Sequence, residues 1–225
     1  MTRNQMHSEL KFLLDKVDSS AAPLFLTDEM DRLLNISQEK FIAKRAFGNN
    51  PRRTTFEEDQ KRRDDLRTIV GNTVITNFST SEHSKPNSVL ITLPADYRHS
   101  VNEEVVFVNG ERVGVKPITH DRYNKIIDDP FNKPHKNTVY RLDYGGDGDT
   151  NIAYVELITA NLADSTILEY HLRYIENPPQ IGDKQDCVLA DHTHREIVRM
   201  AVVEALEGIE SPRYQSSKIE LNEIE

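Results

Sequence analysis

The spacing of apolar residues changes twice along this chain of 225 residues. Both ends carry apolar residues at the three- and four-residue spacing of an amphipathic helix. Residues 72–175 instead form short runs rich in β-branched and aromatic side chains, separated by turn signals. Because the two patterns are segregated rather than alternating, the sequence predicts an α+β fold. We expect the N-terminal helices and the C-terminal helix to form a helical bundle, with an antiparallel β-sandwich or barrel-like region between them.

Four main helices are predicted, over residues 4–17, 27–45, 55–70 and 191–209. Thr27 and Asp191 suit the N-cap positions of the second and fourth helices. Thr55, with Glu58 three residues later, is typical of a capping box at the start of the third helix, and Gly71 suits the C′ position after it.

Seven strands are predicted, over residues 73–78, 88–93, 104–108, 112–118, 138–142, 152–159 and 166–174. Asn109-Gly110 is typical of a type I′ hairpin turn, and residues 144–149 indicate a second, looser turn. The strict alternation over 168–174 predicts a strand with one solvated face. Residues 119–127 indicate a short helix between strands, followed by an exposed loop over 128–137.

These patterns divide the chain into three regions: a helical region over 1–71 and 186–215, a β-rich domain over 72–182, and a tail over 216–225. The tail is polar and acidic but contains the aliphatic residues Ile219, Leu221 and Ile224. As a strand it would place Ile219 and Leu221 on one face, which favours docking onto the exposed sheet edge of a partner. A frayed terminus is the alternative.

No pattern of catalytic, metal-binding or cofactor-binding residues stands out, and we expect a protein without enzymatic activity. Cys187 is the single cysteine. His192 and His194 are two residues apart, whereas zinc-binding helices place histidines four apart. Asp147-Gly148-Asp149 lacks the remaining ligands of a calcium loop and is better explained as a turn. The chain contains no phosphate-binding glycine motif, no signal peptide and no apolar run long enough for a membrane span, so we expect folding in the cytosol.

A basic cluster lies around the second predicted loop, with acidic residues interleaved. The docking interpretation treats it as a surface for an acidic partner, such as the acidic C-terminal segment of a neighbouring copy. A solvated helix face and direct contact with DNA are the alternatives. The basic cluster consists of Lys40, Lys44, Arg45, Arg52, Arg53, Lys61, Arg62 and Arg63.

Five segments together resemble proteins of a known structural class. The helices EMDRLLNISQEKFIAKRAF and TTFEEDQKRRDDLRTIV, the stretch ITLPADYRH at 91–99, and the segment YIENPPQI with the helix over 191–209 occur in this order. They resemble head-to-tail adaptor proteins of tailed bacteriophages, also called connector, tail tubular or neck ring proteins, of the short-tailed and crAss-like type. Residues 119–137 have no counterpart in this resemblance.

The resemblance implies a structural virion protein at the neck, the capsid–tail junction, assembled in the host cytoplasm. Such proteins form a homo-oligomeric ring, usually of twelve copies, below the portal protein. The helical region would form the ring, the C-terminal segment would reach the portal, and the β domain would face the next neck or tail ring protein. Double-stranded DNA would pass through the channel during packaging and ejection, and the net charge of −9 fits passage without specific binding.

Other functions stay open at this point. A β-barrel nucleic-acid-binding module flanked by helices would be favoured by the basic cluster and disfavoured by the net charge. Another neck or tail ring protein, or a capsid-decorating protein, fits the same features. A hydrolase would need a site assembled from residues far apart in the sequence.

Overall fold

The computed structural model describes residues 1–15, 25–46, 59–81, 84–147, 152–160, 166–208 and 214–223. The predicted α+β class, with helices at both ends of the chain, is confirmed. The chain divides into two compact units. The helical unit comprises Met1–Ile69 and Pro178–Glu225, and the β unit comprises Val70–Asn177. None of the described helices is long and apolar enough to cross a membrane.

The described helices and strands are given in chain order. The helices are α1 (Arg3–Asp15), α2 (Thr27–Ala46), α3 (Gln60–Leu66), α4 (His120–Asp128), α5 (His194–Gly208) and α6 (Tyr214–Glu223). The strands are β1 (Val70–Ile75), β2 (Phe78–Ser79), β3 (Ser88–Thr92), β4 (Tyr97–Phe107), β5 (Arg112–Pro117), β6 (Val139–Asp147), β7 (Ile152–Ile158) and β8 (Ile167–Glu176).

Helix α5 lies at the centre of the helical unit and contacts α1, α2 and α6. Its apolar residues are buried on most of its circumference rather than along one stripe, including Ile197, Val198, Ala201 and Leu206. A helix buried on several sides needs small and aliphatic residues all round, and the sequence HREIVRMAVVEALEG supplies them. The inner residues of α1 and α2, Met6, Leu10, Leu34 and Phe41, are fully buried.

The β unit is one sheet of eight strands in the order β1-β8-β4-β5-β6-β7-β3-β2. All pairs are antiparallel except β5 and β6, which are parallel, so the sheet is mixed rather than wholly antiparallel as predicted. Parallel neighbours need a long crossover connection, usually one containing a helix. Residues 118–138, with α4, make this crossover, which gives the unmatched stretch 119–137 a structural role.

One face of the curled sheet carries the apolar core of the β unit, including Ile91, Val105, Leu157 and Tyr170. The alternation predicted for β8 is confirmed: Tyr170, Leu172 and Tyr174 are buried, while Arg173 is exposed. A register shift beside Phe107 leaves Leu168 on the solvent side, 51% exposed.

The predicted third helix is confirmed over Gln60–Leu66, but Arg67–Ile69 is a 3-10 turn and Val70 already begins β1. Its predicted capping box, Thr55 with Glu58, lies outside the described residues, and in the described part Asp59 is the N-cap and its side chain accepts a hydrogen bond from the Lys61 backbone N–H. Gly71 is in β1, not at a helix C′ position. It pairs with Tyr174, and a Cβ at Gly71 would meet the Glu176 carboxylate and lie 3.1 Å from Cζ of the Tyr174 ring, so a larger residue here would require both side chains to move.

Two other predicted caps are shifted by one residue. The Leu26 backbone N–H donates to Oε2 of Glu29 at 2.8 Å, and the Leu26 carbonyl accepts the first bond of α2, so Leu26 rather than Thr27 is in the cap position. Asp191 is the first residue of a 3-10 turn before α5, and Ala190 precedes that turn as its cap residue.

The hairpin between β4 and β5 is confirmed, but its predicted turn type is wrong. Gly110 has a φ of +82°, while Asn109 is not among the residues with positive φ. The Gly110 N–H donates to the Phe107 carbonyl, and the Phe107 N–H donates to the Glu111 carbonyl. This is a three-residue loop with a type I turn and a glycine bulge, not a type I′ turn. The looser turn predicted from Tyr144 starts too early, because β6 continues to Asp147.

Candidate interaction surfaces

The basic cluster does not form one surface. Arg45 and Arg62 are buried, at 2% and 4% exposure, whereas Lys61 and Arg63 are exposed. The Arg62 Nη1 donates to the carbonyl of Lys44, which is itself half-buried. The Lys40 ammonium pairs with Glu204 at 2.5 Å. Arg52 and Arg53 lie outside the described residues. The docking interpretation therefore stays a prediction for the exposed members, while Arg45 and Arg62 hold contacts inside the helical unit.

Arg45 is the centre of a buried ion network that joins three helices. Its Nη2 donates to both carboxylate oxygens of Glu196 on α5, at 2.8 and 2.9 Å. Its Nε lies 2.9 Å from Oδ2 of Asp65 on α3. The Arg45 and Asp65 side chains are 3% and 2% exposed, and Nε2 of His192 lies 2.8 Å from Oδ1 of Asp65. Charges this deeply buried require partners, so the network fixes how α2, α3 and α5 meet.

The spacing of residues in α3 indicates buried charged side chains, but the prediction of the third helix did not use it. Arg62, Asp65, Leu66 and Ile69 follow the i, i+3, i+4, i+7 spacing of a buried face, and all four are buried. Two charged residues at such positions indicate a buried pairing, although the sequence does not say with which residues.

A second ion cluster joins α1 to α2. The Arg3 guanidinium donates to Asp31 with Nε at 2.8 Å and Nη2 at 2.5 Å, and Nε2 of His7 lies 2.8 Å from Oδ1 of Asp31. Arg3 Nη1 also pairs with Asp183 at 2.6 Å. The hydrogen bond from Arg3, followed by that from His7, holds the pKa of the Asp31 carboxyl below its ordinary value.

The histidines and the cysteine near the start of α5 have structural partners. Nε2 of His194 lies 2.7 Å from the Leu189 carbonyl, and burial lowers the pKa of His194. The Cys187 thiol donates to Oε1 of Gln38 at 3.3 Å, and burial raises its pKa, which disfavours the reactive thiolate. Among the described residues, no group of three or more His, Cys, Asp or Glu side chains is placed to hold a metal ion.

A groove of about 450 Å³ runs along the outer face of α2. One wall is α2 itself, and the other is the segment Pro178–Ile181, which Asn35 holds through two hydrogen bonds with the Ile181 backbone, at 3.0 and 2.8 Å. Gln38 Nε2 donates to the Pro179 carbonyl at 3.3 Å. We call this the α2 groove; its lining includes Asp28, Arg32, Ile36, Glu39, Pro178 and Ile181.

The crossover connection of the β unit presents an exposed aromatic residue. Phe131 is 88% exposed, more than any other large apolar residue described. It belongs to a short loop after α4, residues 129–136, which we call the Phe131 loop. The sequence predicted an exposed loop over 128–137, but it assigned no function to Phe131.

The tail does not form the predicted strand. Residues 214–223 are helix α6, which contacts α5. Two residues apart on a helix, Ile219 and Leu221 point to different sides, so the strand-addition interpretation is wrong for this segment. Ile219 is 61% exposed. The Leu221 side chain and Ile224 lie outside what the structure describes.

Comparison with known proteins identifies one family. The sequence model of the family described as phage tail ring protein 3/4, of the crAss type, matches residues 1–211. The match includes both units and ends before α6. No curated protein matches the chain.

Proposed function

The chain belongs to the phage tail ring protein 3/4 family, and from this premise we propose that it is the head-to-tail connector, or adaptor, of its phage. As a member of this family it is a structural protein of the tail or neck of the virion. The proposal adds that its ring lies below the portal, joins capsid to tail and conducts double-stranded DNA. The family match over residues 1–211 is the observation that carries the proposal.

The proposed partners follow from this position. Twelve neighbouring copies form the ring through heterologous contacts that close by rotation. The portal protein lies on one side and the next neck or tail ring protein on the other. The helical region over 1–71 and 186–215 forms the ring, and the tail over 216–225 docks on the portal.

The charge of the chain supports a channel role. A net charge of −9 opposes general attraction to phosphates, so DNA moves through the ring without specific binding. The nucleic-acid-binding alternative depended on the basic cluster, and two of its arginines, Arg45 and Arg62, are buried. We also propose a role without catalysis, as for a structural protein of this family.

Immunogold labelling of purified virions, intact and tail-sheared, tests the proposal. Antibody against this chain should label only the capsid–tail junction, and heads that keep the neck after shearing should retain the label. Label along the tail, or on the capsid surface, would place the protein in a different structural role. Virions without the protein would contradict the connector proposal.

A further inference from the structure

Strand β1 is an open edge of the eight-stranded sheet. It lies at one end of the strand order and pairs with β8 along its whole length, from Val70 opposite Ile175 to Ile75 opposite Tyr170. In an antiparallel pair, every second residue points its N–H and C=O away from the partner strand. Within the described residues, no backbone group outside β8 bonds to β1. The outer side of β1 therefore presents a row of unpaired donors and acceptors.

Strand β1 lacks the features that usually protect a sheet edge. Native edge strands tend to carry charged residues, prolines or bulges, or to be very short. The sequence of β1, VGNTVI, contains no charged residue and no proline, although 29% of the chain is charged, and its register on β8 has no bulge. At the opposite end of the sheet, β2 has only two residues, Phe78–Ser79. One edge of the sheet is thus protected by its shortness, whereas the other is open for pairing.

The solvent face of β1 gives this edge a chemical pattern. Val70, Asn72 and Val74 share that face, because side chains alternate along a strand. Val74 is 51% exposed, Asn72 is exposed and Val70 is half-buried. Arg173 on β8 lies opposite Asn72 in the register, and its Nε donates to Oδ1 of Asn72 at 2.8 Å. This hydrogen bond holds the guanidinium of Arg173 beside β1, between the two valines.

The guanidinium of Arg173 is available to a carboxylate. In the part of the chain that the structure describes, Arg173 forms no ion pair, and its side-chain hydrogen bond goes to a neutral amide. The acidic residues on the same face of the sheet pair elsewhere, Glu169 with His171 at 2.8 Å and Glu104 with Arg112 at 3.9 Å. An added strand that fits this edge therefore carries a carboxylate opposite Arg173 and apolar residues two positions to either side.

The edges of this sheet do not fit one another, so the added strand belongs to a different protein. Two β1 edges paired across a two-fold axis would bring the Arg173 side chains of both copies toward one seam. Such an isologous contact links copies in pairs, whereas a ring needs heterologous contacts. The β2 edge of a neighbouring copy has two residues, which is too short to pair with the six residues of β1.

We propose that β1 accepts an extended strand of a neighbouring tail or neck protein as the ninth strand of the sheet, with a carboxylate of that strand beside Arg173. In strand addition of this kind, main-chain hydrogen bonds supply the affinity and alternate side chains supply the selectivity. The inference goes beyond the connector proposal, because a ring at any level of the tail or neck presents the same edge.

Synthetic peptides test the edge on the full-length chain. The probe is an end-blocked peptide of sequence TVTETVT, whose valines and glutamate share one face of a strand. In the matched control, TVTKTVT, lysine replaces the glutamate. The first peptide should shift the NMR signals of the amides of residues 70–75 and bind at least about tenfold more tightly than the second, because like charges oppose binding. Arg173→Glu should reverse this preference. Equal binding of the two peptides to the wild type, or β1 signals that do not move, would overturn the inference.

Two lysine substitutions separate the edge from the rest of the sheet. Val74 and Leu168 are both 51% exposed, but Leu168 lies on β8, which has a strand on each side. Val74→Lys should keep the melting temperature and reduce binding of TVTETVT at least about tenfold, because a lysine on an edge opposes strand addition. Leu168→Lys should change neither. Equal loss of binding in the two variants would contradict addition to β1.

Photo-cross-linking in purified virions identifies the natural occupant of the edge. The cross-linker benzoylphenylalanine replaces Val74, because its apolar side chain is compatible with docking, and replaces Leu168 in the control. The peptide linked to position 74 should belong to another virion protein and contain an acidic residue two positions from apolar residues. A cross-link to a second copy of this chain, or equal yields from the two positions, would refute the proposal.

The outcomes separate this inference from the connector proposal. Virions that carry the chain at the neck without a cross-link from position 74 would contradict the docking edge and leave the connector proposal standing. Virions that lack the chain would contradict the connector proposal, while the peptide experiment would still decide the edge.

Discussion

At the residue scale, the fold depends on charged side chains that are buried away from solvent. Arg45, Asp65 and Glu196 come from three helices, and their distances of 2.8 to 2.9 Å leave little space for solvent. The attraction within such a network offsets the cost of dehydration only while every partner is present. Arg45 therefore stabilises the fold, although the basic residues around it in the sequence suggested a docking surface.

Replacing Arg45 with Met should destabilise the helical unit strongly. The substitution leaves the buried Asp65 carboxylate and the half-buried Glu196 carboxylate without their cation. Losing one partner of a buried pair costs roughly 3–5 kcal/mol. Chemical denaturation of the two variants measures the effect, with Arg63→Met as the control. Arg63 is exposed, so its replacement should change the free energy of unfolding by less than about 0.5 kcal/mol. Equal losses in both variants would contradict the network.

Asp31 should make the protein sensitive to acid. Its pKa is below the ordinary value of 3.8 because Arg3 and then His7 hydrogen-bond the carboxylate. The unfolded chain therefore binds the proton more readily than the folded one, so the stabilisation is complete above about pH 4 and is lost as the pH falls through the folded pKa. The stability difference between wild type and Asp31→Asn should shrink as the pH falls from 6 to 2. Urea denaturation at each pH measures this difference. A difference in urea midpoints that stays constant from pH 6 to pH 2 would contradict the pairing of Asp31 with Arg3 and His7.

At the element scale, most helices and strands could be predicted because their apolar periodicity records which face is buried. The strands β3, β5, β7 and β8 and the helices α2 and α5 follow patterns visible in the sequence. The crossover over 118–138 was visible only as a short helix and a loop, since nothing local states that β5 and β6 run parallel.

The misassigned elements share a physical cause. Gly71 is compatible with both a helix end and a strand, and the ring of Tyr174, more than 100 positions away, decides for the strand. Residues 214–223 have weak helical periodicity, so their sequence does not distinguish a helix from a strand. The groove and the ion networks join residues far apart in the sequence, such as Arg45 with Glu196, and no local pattern identifies such partners.

Gly110 sets the geometry of the hairpin between β4 and β5. Its φ is +82°, and nothing lies within 4 Å of where a Cβ would be, so the cost of a side chain is conformational and not steric. Gly110→Ala should lower the free energy of unfolding by about 1 kcal/mol. Gly114→Ala is the matched control, because Gly114 also has open space but no positive φ. Thermal denaturation of both variants measures the effect. A Gly114→Ala control that loses as much stability as Gly110→Ala would refute this explanation.

Removing residues 216–225 should affect assembly more than stability. The deletion takes away most of α6, where Ile219 is exposed and Tyr214 and Ser217 are half-buried. We expect the melting temperature of the truncated chain to stay close to that of the full chain, and its incorporation into virions to fall. Western blotting of purified particles measures incorporation. A truncated chain that is incorporated normally would show that the tail has no docking role.

At the scale of the whole molecule, the exposed part of the basic cluster can be separated from the buried part. Lys61→Glu with Arg63→Glu should reduce assembly with little change in melting temperature, because both side chains are exposed. Arg62→Glu should instead unfold the helical unit, since it places a carboxylate at a site 4% exposed against the Lys44 carbonyl. Thermal melts and particle incorporation of the two variants test this. A stable Arg62→Glu variant would contradict the buried position.

The two units present different exposed features. The helical unit carries the α2 groove and the exposed basic residues, and the β unit carries the Phe131 loop. A chain with net charge −9 repels other copies in general, so specific contacts must close the ring.

The central claim is that copies of this chain form a closed ring between capsid and tail. Electron cryomicroscopy of the neck in purified virions tests it most directly. We predict a ring of this fold with twelve subunits, in contact with the portal and surrounding the DNA channel. A neck reconstruction in which other proteins account for every ring, with this chain elsewhere or absent, would contradict it.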